Sequence, residues 1–147
     1  MMTTLNRHAS ELLHVCEAHA STDITGFGLI GHATDMLSAG DELGMEIYAQ
    51  QVPLIGNTMQ LARAGNICGG TGRNAEFTDN LADYEDGDDI WRLLLNDAQT
   101  SGGLLVALPE NRAIEYMERL QATGYNLDLG MVGRVVRAHP RRIRVIR

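Results

Sequence analysis

Three segments of the chain combine glycine with small polar or charged side chains, the residue types best suited to binding an anion. They are STDITGFGLIGH (21–32), CGGTGRN (68–74) and NDAQTSGGLL (96–105). Glycine leaves the backbone N–H groups of a turn open to a phosphate or another oxyanion. Each segment alone is also compatible with a purely structural turn, but three of them in one short chain favour a shared anionic ligand.

The first segment contains the spacing GxGxxG at Gly26, Gly28 and Gly31. A dinucleotide-binding fingerprint needs a strand directly before it, and the sequence predicts a helix with a short polar link there, so we reject that interpretation. Gly28 and Gly31 lie on one face of a predicted helix, where each costs about 1 kcal/mol relative to alanine. This face is therefore predicted to pack at very close range.

Asp23 and Thr25 precede that helix, where backbone N–H groups and the helix dipole attract anions. The carboxylate of Asp23 is able to hold a magnesium ion that bridges phosphate oxygens. The alternative is that Asp23 or Thr25 caps the helix. Residue spacing alone favours the cap and leaves both functions open.

The second segment places glycines around Thr71 and ends with Arg73 and Asn74. A loop of this composition is predicted to form an anion nest, with the guanidinium group clamping the ligand. The alternative is a mobile connection that follows a helix. Cys68 opens the segment, and we interpret it as an ordinary free thiol because no nearby histidine or lysine lowers its pKa.

The third segment places Asp97, Gln99, Thr100 and Ser101 before two glycines and an apolar strand. Such a run predicts either a turn held by its own side chains or the polar floor of a ligand cleft.

Composition limits the chemistry of the chain. Its 147 residues carry a net charge of −7, and all 12 basic residues are arginine. Without lysine, the chain alone has no Schiff-base chemistry, Walker-type phosphate site or catalytic lysine. Arginine alternates with valine and isoleucine near the C-terminus, which indicates solvated strands rather than nucleic-acid binding.

The two cysteines and the histidines have no zinc-site or disulfide spacing, and Cys16 is predicted to lie in the core. No apolar stretch is long enough for a membrane helix and no secretion signal is evident, so we expect a cytoplasmic protein.

Hydrophobic periodicity predicts an α+β fold and a single domain over residues 1–147. Helices are predicted over 5–20, 26–38, 53–64 and 110–124, with one or two short helices and an exposed acidic connection within 75–96. Strands are predicted over 43–49, 103–109 (buried), 127–138 and 142–146, the last two separated by Pro140.

The motifs TDITGFGLIGH, GGTGRN and D-A-QTSGGLL, in this order and spacing, closely resemble the C-terminal domain of the selenophosphate synthase (selenide, water dikinase) family. This family belongs to the aminoimidazole ribonucleotide synthetase-like superfamily, and the resemblance covers essentially the whole chain. It implies a layered α/β/α domain with a mixed, largely antiparallel sheet. Cys68 and Ala98 stand where the family usually has proline, which is expected to loosen both loops.

The resemblance also implies an activity and a set of site residues. The family makes selenophosphate from selenide, ATP and water, releasing AMP and phosphate, with magnesium neutralising the phosphates. Asp23 matches a metal-binding aspartate of the family, so the resemblance favours the magnesium role for it. The expected nucleotide-facing positions are Thr25, Gly26, Gly69, Gly70, Thr71, Arg73, Asn74, Asp97, Thr100 and Ser101.

In this family the catalytic cysteine or selenocysteine, a lysine, further metal aspartates and the main dimer interface belong to an N-terminal domain. The resemblance thus implies a chain without catalytic residues of its own, inactive alone and homodimeric when complete. The alternative is a stand-alone module that binds an anion or a protein partner. The sequences GFGLIGH and QTSGG disfavour another superfamily member, such as the purine-pathway synthetase.

Overall fold

Helices and strands are interspersed along the chain. The structure is a computed structural model that describes residues 3–40, 42–85, 89–137 and 142–147. Within these ranges the helices are α1 (Arg7–Val15), α2 (Gly28–Met36), α3 (Thr58–Arg63), α4 (Gly69–Thr78), α5 (Asp89–Leu95) and α6 (Glu110–Ala122). The strands are β1 (Ala20–Asp23), β2 (Leu43–Tyr48), β3 (Ala82–Tyr84), β4 (Leu104–Ala107), β5 (Gly133–Arg137) and β6 (Ile143–Ile146).

The strands form two sheets. β1 and β4 make an antiparallel pair in which Asp23 lies opposite Leu104. The other sheet has the order β3-β6-β2-β5, with β6 parallel to both β3 and β2, and β5 antiparallel to β2. The predicted α+β class and mixed sheet are confirmed, although the described strand pairings divide evenly between parallel and antiparallel instead of being largely antiparallel.

The four-stranded sheet packs against α2 and α5 in the larger of two apolar cores. Ile47 and Ile143 of the sheet are almost fully buried, as are Ile30 of α2 and Leu95 of α5. Each such side chain contributes about 1.5–3 kcal/mol when it leaves water. This core fixes α2 and α5, and with them the loops that precede α2 and follow α5.

The second core lies between α1, α6 and β4 and contains Ala9, Cys16, Tyr116 and Leu120. Tyr116 donates a hydrogen bond from its hydroxyl to the Ala9 carbonyl at 2.9 Å, and burial raises the pKa of Tyr116 to about 12. Cys16 is fully buried, which confirms its predicted place in the core.

The first helix is shorter than its apolar stripe predicts. α1 ends at Val15, and Glu17 adopts a left-handed conformation with φ of 57° that turns the chain toward β1. Cys16 fits the apolar helical spacing of the sequence because it is buried against α6, but it lies one residue beyond the end of α1. The prediction of a helix to residue 20 is therefore wrong at its C-terminal end.

A strand, β1, does precede the GxGxxG spacing, so the reason given for rejecting a dinucleotide fold is wrong. The rejection itself stands, because among the described strands β1 pairs only with β4, antiparallel, and forms no parallel β-α-β crossover.

Several other boundaries differ from the prediction. GGTGRN (69–74) is the first part of α4 rather than a loop, with Cys68 as the N-cap residue of that helix. α3 begins at Thr58 rather than at residue 53. The short strand β3 was not predicted, β5 begins at Gly133 rather than 127, and β4 is half-buried rather than buried. Part of the acidic connection (86–88) and Pro140 lie outside the described residues.

Candidate functional site

The three glycine-rich segments meet in space although they are distant in sequence. They form the loop 24–27 between β1 and α2, the beginning of α4, and the loop 96–103 between α5 and β4. The Gln99 N–H donates to the Thr25 carbonyl at 3.0 Å, and the Gly102 N–H donates to the Ile24 carbonyl at 2.8 Å. Backbone hydrogen bonds thus join the first and third segments directly.

Asn74 of α4 connects both loops to the helix. Its side-chain Nδ2 donates to the Gly26 carbonyl at 2.8 Å and to the Asn96 carbonyl at 3.0 Å. Both protons of the amide nitrogen are therefore used within the chain. Asn74 was predicted to face the nucleotide, and in the structure its donor group joins α4 to both loops.

Gly28 allows the loop 24–27 to approach the loop 96–103 closely. Its φ is +71°, and a Cβ at this position would lie 2.7 Å from the carbonyl carbon of Asn96. The close packing predicted for this helix face is confirmed at Gly28. At Gly31 the nearest atom to such a Cβ is the Cβ of Phe27, in the same segment, at 2.8 Å.

Asn96 is fully buried and has hydrogen-bond partners on both sides of its amide. Its Oδ1 accepts from the Thr78 hydroxyl at 2.9 Å, and its Nδ2 donates to the Tyr84 hydroxyl at 2.9 Å and the Arg92 carbonyl at 2.8 Å. Burial raises the pKa of Tyr84 to about 12, so this hydroxyl stays protonated. These contacts anchor the start of the third segment to the core.

The carboxylate of Asp97 links α4 to the same loop. Its Oδ1 accepts a hydrogen bond from the hydroxyl of Thr71, which is fully buried, and its Oδ2 accepts from Gln99 Nε2 at 2.6 Å. A Cβ at Gly70 would lie only 3.1 Å from the Cβ of Ala98. Thr71 and Asp97, both predicted to face the nucleotide, are thus hydrogen-bonded to each other.

Cys68 is exposed next to this pair. Its Sγ lies 3.1 Å from Thr71 Oγ1 and 3.7 Å from Asp97 Oδ1. Hydrogen bonds with Thr71, through its side chain and its N–H, and with the Gly70 N–H lower the pKa of the Cys68 thiol, whereas burial and the charge of Asp97 oppose this shift. Both Cys68 Sγ and Asp97 Oδ1 lie within reach of the single Thr71 hydroxyl proton. The absence of a nearby histidine or lysine therefore does not leave the pKa of this thiol at its ordinary value, because hydrogen-bond donors also favour the thiolate.

We expect iodoacetamide near neutral pH to alkylate Cys68 in the folded chain and to spare Cys16, which is fully buried. Asp97→Asn should increase the Cys68 rate several-fold, because it removes the negative charge that disfavours the thiolate. A lower thiol pKa moves the rate-pH profile to lower pH. Peptide mass spectrometry measures both sites.

Asp128→Asn, in the exposed region after α6, is the matched control and should leave the Cys68 rate unchanged. A Cys68 rate-pH profile equal to that of free cysteine would contradict the lowered pKa.

Asp23 is exposed at the end of β1, five residues before the start of α2. In the described residues neither Asp23 nor Thr25 caps this helix: its N-cap residue is Phe27, and no side chain makes a capping hydrogen bond there. The Thr25 hydroxyl instead lies 3.1 Å from His32 Nε2. The capping alternative for both residues is therefore excluded.

The remaining predicted site residues are more accessible. Exposed positions are Gly26, Gly69, Arg73 and Thr100, whereas Gly70 and Ser101 are half-buried. No group of three or more metal-ligating side chains occurs in the ranges that the structure describes. None of the helices in those ranges is long and apolar enough to cross a membrane.

Comparison with known proteins gives the family. The profile described as "AIR synthase related protein, C-terminal domain" matches residues 1–146. The chain belongs to this family. The AIR synthase related domain thus accounts for almost the whole chain, and the resemblance seen in the three motifs is confirmed.

Curated relatives of this AIR synthase related domain carry the name selenide, water dikinase. The chain is 38% identical to that of Clostridium botulinum (strain Eklund 17B / Type B), over 90% of this chain and 39% of the relative. It is 39% identical to that of Rhizobium meliloti, over 89% and 37% respectively. It is 35% identical to "Selenide, water dikinase 2" of Peptoclostridium acidaminophilum, over 99% of this chain and 42% of the relative. The chain therefore spans about two fifths of the length of these relatives.

Sequence reasoning missed two residues that organise the site of the AIR synthase related domain. His32 contacts Thr25, and Asn96 anchors the third segment. His32 stands at the end of the GLIGH sequence, and its polar ring on an otherwise apolar helix face was the available signal. Asn96 opens the third segment, but the sequence did not indicate its anchoring role, because its partners Thr78 and Tyr84 lie in elements whose positions depend on the whole fold.

Proposed function

We propose that this chain is the C-terminal domain of an ATP-dependent selenide, water dikinase, completed by an N-terminal domain. The observation that carries the proposal is the convergence of the three motifs on one hydrogen-bonded surface beside the exposed carboxylate of Asp23. The name of the relatives supplies the reaction class, and their greater length supports a second domain.

The residues present fit a shared magnesium site. Magnesium in phosphate-transfer enzymes takes one or two carboxylates together with substrate phosphates and water. Asp23 offers one exposed carboxylate, and in our proposal the other protein ligands come from the N-terminal domain. When bound, the ion neutralises charge on the phosphate oxygens of ATP.

Arg73 and the loop 96–103 contribute the remaining charge and hydrogen bonds in this proposal. The guanidinium group of Arg73 is exposed on α4, on the helix that also carries Asn74. Arginine pairs with phosphate oxygens through two parallel hydrogen bonds. Thr100 and Ser101 add hydroxyl donors on the neighbouring loop, and Gly26, Gly69 and Gly70 keep the backbone accessible to the nucleotide.

The chain alone has no selenide-dependent ATP hydrolysis in our proposal, because it lacks lysine and the catalytic residues are assigned to the N-terminal domain. The complete enzyme is proposed to act as a cytoplasmic homodimer. Turnover of ATP by the purified chain with selenide would contradict this division of labour.

We expect Asp23→Asn to lower magnesium-dependent activity of the complete enzyme by about tenfold or more, equivalent to about 1.4 kcal/mol of transition-state stabilisation. The change is isosteric and exposed, so the thermal unfolding midpoint should stay the same. Activity is measured in a chimera that joins this chain to the N-terminal part of the Clostridium botulinum relative, by following AMP release with selenide.

Asp35→Asn is the matched control, since Asp35 is an exposed carboxylate on α2. It should keep full activity. Equal activity of the Asp23 and Asp35 variants would remove the magnesium role of Asp23. Nucleotide binding by the chain, without activity in the chimera, would support the alternative of a non-catalytic anion-binding module.

A further inference from the structure

One buried histidine contacts two residues of the loop that joins β1 to α2. His32 is 9% exposed, and its Nε2 lies 3.1 Å from the hydroxyl oxygen of Thr25. Its ring also packs against Phe27, with the ring centroids 5.6 Å apart and the planes tilted by 55°. His32 lies on α2, which the larger core holds in place, so the loop is attached through it to a rigid element.

Thr25 is the residue through which this attachment reaches the rest of the site. Its carbonyl accepts hydrogen bonds from the N–H of Gly28 at 3.1 Å and from the N–H of Gln99 at 3.0 Å. The same residue therefore binds α2 through its side chain and the loop 96–103 through its backbone. A change in the orientation of Thr25 would weaken both backbone hydrogen bonds.

We propose that His32 is a positioning residue that holds the Thr25 hydroxyl, and thereby fixes the loop between Asp23 and α2 against the loop 96–103. Asp23 lies two residues before Thr25, so ordering of this loop would also position the Asp23 carboxylate. The effect on magnesium binding rests on the function proposed above. The ordering of the loop does not depend on that function.

The first experiment measures amide hydrogen exchange in the full chain. His32→Phe keeps an aromatic ring beside Phe27 but removes the hydrogen bond, whereas His32→Gln places an amide nitrogen near the position of Nε2. We expect His32→Phe to accelerate exchange at the Gly28 and Gln99 amides by about tenfold, and His32→Gln to restore most of the protection.

The internal reference is the His19 amide, which donates to the Ala107 carbonyl at 2.9 Å, at the end of β1 that is farther from Thr25. Its exchange should not change in either variant. Unchanged protection of Gly28 and Gln99 in folded His32→Phe would overturn the proposal, as would equal acceleration in the phenylalanine and glutamine variants.

Thr25 provides a second test that keeps the histidine in place. Thr25→Val removes the hydroxyl at constant shape, and Thr25→Ser retains it. The valine variant should reproduce the exchange pattern of His32→Phe, and the double variant should show no further acceleration, because both changes remove the same hydrogen bond. If His32→Phe fails to fold, Thr25→Val decides the question: unchanged exchange would overturn the proposal.

The functional experiment titrates magnesium in the chimera described above. We expect His32→Phe to raise the magnesium concentration for half-maximal rate about fivefold while His32→Gln stays near the parent. Altered exchange with an unaltered magnesium requirement, in an enzyme that Asp23→Asn inactivates, would overturn the proposed link to Asp23. Full activity of Asp23→Asn would instead contradict the proposed function. The hydrogen-exchange result would still test the positioning role of His32, because it does not depend on that function.

Discussion

Gly28→Ala is expected to lower the free energy of unfolding by about 3 kcal/mol or more, the larger part of it from steric conflict. A left-handed conformation costs a residue with a Cβ roughly 1–2 kcal/mol. The added Cβ would in addition lie 2.7 Å from the Asn96 carbonyl carbon and 2.8 Å from its oxygen, and backbone atoms are unable to rotate away as a side chain does. The loop and α2 must separate to accept the methyl group.

Gly26→Ala is the matched control for this prediction. Gly26 lies in the same loop, and its φ is not in the left-handed region. Apart from its two chain neighbours, no described residue has an atom within 4 Å of the position that its Cβ would occupy. We expect a change within about 0.5 kcal/mol, as for an ordinary surface substitution. Urea denaturation followed by circular dichroism measures the free energy of unfolding of both variants, and the dependence of that free energy on urea concentration should be the same in the two. An equal loss of stability in the two variants would contradict the packing assigned to Gly28.

The contrast between these two glycines shows what the sequence was able to predict. The GxxG spacing predicted a close approach of the helix face, and Gly28 makes one. The partner, the backbone of Asn96, was not predictable from the spacing, because it lies in a segment 68 positions further along the chain. Local sequence thus indicates that a glycine makes a close contact, whereas tertiary packing determines which residue is its partner.

The beginning of α4 shows a limit of the same kind. Gly69, Gly70 and Gly72 each disfavour a helix by about 1 kcal/mol relative to alanine, so propensity predicts a loop. Burial of Thr71 and the two hydrogen bonds from Asn74 hold this segment in helical form. Neither contribution is visible from neighbouring residues in the sequence, and the helix becomes predictable only once the two loops are in place.

The convergence of the three segments was predictable from the sequence, whereas the hydrogen-bond partners of their individual side chains were not. All three segments come together, as a shared ligand requires. Within them, Thr71, Asn74 and Asp97 use their polar groups on one another or on the loops, which leaves Asp23 and Arg73 as the exposed charged groups among the predicted site residues. Polar residues beside glycine indicate a functional region without distinguishing the residues that bind a ligand from those that hold the binding loops.

Asn74→Asp tests that distinction, and we expect it to lower the free energy of unfolding by about 2–4 kcal/mol near neutral pH. The substitution keeps the size and shape of the side chain. It replaces an amide nitrogen, which donates to the carbonyls of Gly26 and Asn96, with a carboxylate oxygen that faces the same two acceptors. The hydrogen bonds are lost and two acceptors are brought into contact with a negative charge.

The pH dependence of the Asn74→Asp effect follows from this geometry. Carbonyl oxygens disfavour the charged form, so the pKa of the new carboxyl group is raised in the folded chain above its unfolded value of about 3.9. The unfolded chain then binds fewer protons between the two pKa values, and the loss of stability grows as the pH rises through this interval. The difference from the parent should accordingly be smallest near pH ~4 and largest at neutral pH.

Asn111→Asp controls for the added charge, because Asn111 is exposed on α6, away from the three segments. It is expected to change stability by less than about 0.5 kcal/mol, with little dependence on pH. If Asn74 faced a ligand instead of the two loops, Asn74→Asp would resemble this control in urea denaturation and would alter only nucleotide binding. A loss of stability in the Asn74 variant but not in the Asn111 variant, which becomes smaller at acidic pH, would therefore show that Asn74 holds the loops of the site together. A residue that only binds the ligand would not show this loss.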